Sequence, residues 1–181
     1  MKKVLGSWSG MRKYLEDEML APALYGRVRY NCTRYVGMDN CHVFEVYLDG
    51  TFEKRFSWET VNDWLIETCR KEKGDDLKDY WTGCFELLTA VPPEARTAYT
   101  DEEFCEALEV YRNQPIADSI CAANPIVRMF AFLDRRVGKR RLLALPDALY
   151  KDPVWLTRFY ALRIEAGKIA DSAKSSSGTL L

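Results

Sequence analysis

Apolar side chains near the start of the chain recur at helical spacing. Met11, Tyr14, Leu15 and Met19 follow Ser9 every three or four positions, and Pro22 ends the run, so a short helix is expected there. From Leu24 the period drops to two. Val28, Tyr30 and Cys32 alternate with Arg27, Arg29, Asn31 and Thr33, the pattern of a strand with one wet face. Residues 41–48 and 51–56 form two further alternating runs joined by Asp49-Gly50. Asp-Gly between such runs predicts a hairpin, because a type I′ turn needs positive φ at both central residues.

Helical spacing returns after Ser57, which with Thr60 starts a stripe of Trp58, Val61, Trp64, Leu65 and Cys69 that Gly74 stops. Leu77, Tyr80, Trp81, Cys84, Phe85 and Leu88 make a second stripe, closed by Pro92-Pro93. Thr100-Asp101-Glu102-Glu103 reads as a capping box, with Phe104, Ala107, Leu108 and Tyr111 on the buried side of its helix. Asn124-Pro125 and Asp152-Pro153 each put a cap residue before a proline at the first helical position. The helix after Asn124 is apolar nearly all round, which places it at the centre of the helical half.

These elements predict an α+β fold. Residues 1–91 hold an antiparallel sheet of about three strands with helices. A helical region over 98–170 packs on it as one structural unit, with the best boundary between Val91 and Ala98 and a flexible tail over 171–181. No internal repeat occurs.

Composition agrees with a packed domain, being 48% hydrophobic and 13% aromatic over 181 residues. Lys and Arg number 26 against 27 Asp and Glu, a net charge of −1, so the whole chain is not an electrostatic nucleic-acid binder. The apolar run after Met1 is too short for a signal peptide, and no stretch approaches the roughly 18 apolar residues of a membrane span. A cytoplasmic location without membrane contact is expected. Cys32, Cys41, Cys69, Cys84, Cys105 and Cys121 are scattered without a CxxC pair, which fits free thiols.

Little of this composition assembles into chemistry. His42 is the one histidine. It shares a strand face with Phe44, Val46 and Leu48 while Cys41 points the other way, so a Cys41–His42 dyad is excluded and a half-buried structural role is expected. One histidine and dispersed cysteines predict no metal site, and no cofactor is expected. Gly138-Lys139 lacks the earlier glycine and the following Ser/Thr of a phosphate loop, having Leu133 and Arg140 there. Arg27, Arg29, Thr33 and Tyr35 on the polar strand face match no RNA-binding signature, and an interface with the helical half accounts for them.

The strongest anomaly is electrostatic. Arg135, Arg136, Lys139, Arg140 and Arg141 crowd into eight residues from Asp134. Residues 124–170 carry ten basic and four acidic side chains, a net of +6, whereas 59–118 carry six and fifteen, a net of −9. Three readings follow: the cations complement a helix C-terminus, they meet acids within the chain or across a homodimer, or they grip phosphates. Helix, Val137-Gly138, basic helix loosely resembles the DNA-gripping helix-hairpin-helix, with Arg136 in place of its first glycine.

Two stretches stand out as motifs. The opening is Trp8-Ser9-Gly10-Met11-Arg12-Lys13-Tyr14-Leu15-Glu16 running on to Leu24-Tyr25-Gly26-Arg27-Val28-Arg29-Tyr30. The close is Leu133-Asp134-Arg135-Arg136-Val137-Gly138-Lys139-Arg140-Arg141-Leu142, followed by Trp155 and Phe159-Tyr160-Ala161-Leu162-Arg163-Ile164-Glu165-Ala166. Together they resemble a family of small bacterial proteins, common in Gram-positive genomes and without an assigned activity. That resemblance implies a bacterial cytosolic setting and supplies no catalytic residue. A non-enzymatic protein acting through protein–protein contact or self-association is therefore expected. Phosphate-backbone binding by the basic turn is the alternative, and an enzyme whose carboxylate, Arg and Tyr groups meet only in space is a second one.

Overall fold

The computed structural model describes residues 7–34, 42–73, 80–145 and 153–176. Its sheet is the expected one: β1 (Val28–Arg34), β2 (His42–Leu48) and β3 (Thr51–Phe56) lie side by side in that order, antiparallel throughout. Asp49 and Gly50 take φ of 50° and 78°, the positive values that the tight turn requires. Arg27 braces this corner, its Nε and Nη2 each donating to the Asp49 carboxylate at 2.8 Å.

Register decides which side chains reach the core. Tyr30 opposes Val46 and Cys32 opposes Phe44 on the inner face. Between β2 and β3 the pairing slips, so Tyr47 opposes Phe52 but Val46 opposes Lys54, leaving Glu53 as the extra residue. The bulge breaks strict alternation. Phe52 turns out to solvent, whereas Lys54 and Phe56 turn inward.

Helix α4 (Asp101–Asn113) lies on the inner face, where Phe104 stacks on Phe44 at 4.7 Å and meets Phe56 at 4.9 Å. Its start carries the expected capping box, Thr100 and Glu103 each accepting the other's backbone N–H. Behind it, α6 (Pro125–Leu133) begins at the predicted Asn124 cap and buries every residue except Arg128. It packs between α4 and the last helix, α8 (Val154–Ser176), whose Trp155 stands edge-on to Phe56. Two short helices, α5 (Ile116–Ile120) and α7 (Lys139–Leu143), complete this half.

A smaller apolar cluster joins α2 (Trp58–Lys73) and α3 (Tyr80–Ala90) through Val61, Leu65, Cys69 and Cys84. Trp58 leaves its expected stripe and stands 40% exposed, since it opens the helix beside the Ser57 cap. Gly74 and Leu77 lie outside the described residues. Helix α8 continues to Ser176, so residues 171–176 of the segment 171–181 read as tail are helical, and residues 177–181 lie outside the described residues.

The N-terminal helix also differs from its expectation. After α1 (Trp8–Lys13) the chain widens into a π-helical turn, Tyr14–Glu18. The wider turn carries Glu16 inward, where its carboxylate accepts the Tyr30 backbone N–H at 2.7 Å and Arg29 Nη1 at 3.2 Å. An edge N–H of β1 is thereby satisfied by a side chain.

Candidate functional site

The basic turn between α6 and α7 is held on several sides. Its backbone bridges to the N-terminal segment: Ala21 N–H donates to Leu133 O at 2.8 Å, and Arg135 N–H donates to Met19 O at 2.9 Å. Asp134, 1% exposed, folds the turn on itself by accepting the Arg136 backbone N–H at 2.6 Å. Its Oδ2 accepts from Arg136 Nε at 2.9 Å and Nη2 at 2.6 Å, and also takes the hydroxyl proton of the buried Tyr111 in α4. From α8, Arg163 donates to Val137 O at 3.1 Å and the Tyr160 hydroxyl to Leu142 O at 3.0 Å. Val137 and Leu142 plug the core beneath.

With that backbone fixed, the cations point outward. Arg135, Arg136, Lys139, Arg140 and Arg141 are all exposed. Arg136 is committed inward, bonded to Asp134 and to the Tyr111 hydroxyl at 3.2 Å, which raises its pKa beyond the ordinary guanidinium value. Burial, and then the bond to Asp134, push the Tyr111 phenol up in the same way. Among the described residues, Arg135, Arg140 and Arg141 have no ion-pair partner. Charge extends past the turn to Arg112, whose guanidinium lies over the Tyr14 ring at 5.2 Å. Each of the five sequence-predicted cations is exposed, and among the described residues no acid of 59–118 pairs with Arg135, Arg140 or Arg141.

His42 is half-buried, as expected. It stacks on Phe44 with ring centroids 6.1 Å apart, and its Nδ1 stands 3.8 Å from Asp101 Oδ2, which accepts the His42 backbone N–H at 3.1 Å. Two thiols share this corner. Burial, with the Asp101 charge second, holds Cys32 up at about 11 and Cys105 at about 12, so neither is a thiolate near neutral pH. Five cysteines, Cys32, Cys69, Cys84, Cys105 and Cys121, are free, and Cys41 lies outside the described residues. Among the described residues, no three metal-ligating side chains stand close enough to hold an ion.

The outer sheet face is a closed polar network. Glu45 accepts from Arg55 at 2.8 and 3.1 Å, from the Tyr47 hydroxyl at 2.8 Å and from Asn31 at 3.3 Å. Burial alone would raise the Glu45 pKa, but these bonds outweigh it and lower it. Arg27 is tied to Asp49 and to Glu165 of α8, so that arginine does face the helical half. Tyr35 lies outside the described residues. A cleft of about 350 Å³ opens between Glu16, Asp17, Tyr25, Gly26, Val28 and Arg29, but the Glu16 oxygens are already bonded within it.

Sequence reasoning found the cations and missed their anchor. Tyr111 is 23 residues from Asp134, and a helical tyrosine reads as core. One signal was present: an aspartate immediately before a basic Arg-Arg turn can fold an Asx turn onto the second following N–H. Lys54 was also missed, an inward ammonium 8% exposed that donates to Thr97 O beneath the rings of Tyr99 and Trp155.

Fold and site together define an α+β protein with a cationic turn braced on a helical core, and no helix of the described residues is long and apolar enough to cross a membrane. The chain belongs to the SF0329 protein family, whose sequence profile matches residues 7–164 and so takes in both the sheet and the turn. No curated protein and no solved structure matches it.

Proposed function

We propose that this is a non-catalytic contact protein of the bacterial cytoplasm, and that its turn docks an acidic surface of a partner protein. One observation carries the reading. Arg135, Arg140 and Arg141 stand exposed, without an acid among the described residues, on a backbone fixed by Asp134, Tyr111, Tyr160 and Arg163. A surface already ordered loses little conformational freedom when it binds, so more of each contact appears as affinity. Leu143, 53% exposed in α7, adds an apolar contact beside the charges, a mixture typical of protein interfaces. The free thiols support a reducing compartment.

Phosphate-backbone binding is the alternative, and one titration separates the two. A labelled poly-glutamate chain and a labelled oligonucleotide of equal charge are added to the protein and to its R135E/R140E/R141E variant. The reading expects the protein to prefer poly-glutamate, with binding weakened at least tenfold in the variant and by added salt. Tighter binding of the oligonucleotide with a salt dependence that scales with phosphate contacts would replace it with the alternative.

A further inference from the structure

The same chain presents a surface of opposite sign. On α4, Tyr111 points inward to the turn, while Glu102, Glu106 and Glu109 point outward at successive turns of the helix. Among the described residues none of these three acids has an ion-pair partner. Val110 stands 49% exposed among them, the counterpart of Leu143 among the cations. The two patches are therefore opposite in charge, and each has an exposed apolar residue beside its charges. Within one molecule no ion pair joins them among the described residues: Glu102, Glu106 and Glu109 and Arg135, Arg140 and Arg141 all stand without an ion-pair partner there.

We infer that the acidic surface taken by the turn is the α4 ridge of a second copy of this chain. This deepens the contact reading above and rests on it. Ridge and turn are different surfaces, so a two-fold arrangement makes the contact twice and closes the assembly at a dimer. Exposed ion pairs are individually weak and screened by salt, so the dimer is a high-concentration, low-salt species rather than an obligate one.

Sedimentation equilibrium of the full chain tests this with wild type, E106K, R140E and the two combined. At about 50 mM salt the wild-type mass should climb from 20.9 kDa toward twice that value with concentration, and fall back at about 500 mM. Each single reversal should weaken association at least tenfold, and the combined variant should regain most of it. A wild-type mass fixed at 20.9 kDa at every concentration, or a combined variant no better than the singles, overturns the inference. Poly-glutamate binding by such a monomer would leave the contact reading standing. Its absence as well would remove both.

Discussion

The Tyr111 hydroxyl donates to Oδ2 of Asp134, and both side chains are buried where α4 passes beneath the basic turn. This bond joins the most charged segment of the chain to the most apolar part of the core. Asp134 also accepts from Arg136 and shapes the turn, so one carboxylate sets both where the cations sit and how rigidly.

Removing that carboxylate should be costly. Asp134→Ala leaves the Tyr111 hydroxyl and the Arg136 backbone N–H without their acceptor, and a loss of about 3 kcal/mol is expected from breaking a buried charged network. Tyr111→Phe removes one donor and should cost about 1–2 kcal/mol. Urea unfolding of both variants and their combination checks this. The combined loss should fall short of the sum, since the residues share one network.

Lys54 predicts an unusual rise of stability with pH. Burial lowers its pKa to about 8 from the ordinary 10.5. The folded chain thus binds fewer protons than the unfolded one between those values, and stability grows as pH climbs through 8. Lys54→Met deletes this dependence. From pH 7 to 9.5 the wild type should gain about 2 kcal/mol relative to the variant, since each pH unit between the two values contributes about 1.36 kcal/mol. An unchanged difference in thermal midpoint between the two proteins across that range would refute the assignment.

The hairpin corner makes a backbone prediction. Gly50 holds a φ of 78° with open space where a Cβ would stand, so Gly50→Ala adds conformational strain without a clash. A loss of about 1 kcal/mol in chemical denaturation is expected. Gly50→Asn should lose less, because asparagine tolerates the left-handed region.

Local rules made much of the fold legible. Asp49-Gly50 between alternating runs located the hairpin, Thr100 with Glu103 located the start of α4, and the apolar run from Ile126 to Leu133, interrupted by Arg128 alone, located the central helix. What stayed hidden depends on geometry that periodicity does not carry. The bulge at Val46/Tyr47 turns Lys54 inward although its strand neighbours suggest nothing unusual. The π-helical turn at Tyr14–Glu18 has the same spacing of apolar residues as an ordinary helix. For the site, the charges were plain from the outset, because five cations in eight residues need no fold to be noticed. Their exposure and their anchor required Tyr111, Tyr160 and Arg163, which reach the turn from distant helices.

The turn as a rigid docking surface is tested most directly by amide chemical shifts of the ¹⁵N-labelled protein during addition of poly-glutamate. The amides of Arg135, Arg136 and Gly138 to Arg141 should move together and saturate, while those of β1 to β3 stay in place. Saturating shifts confined to the sheet, or none anywhere at low salt, would contradict the account.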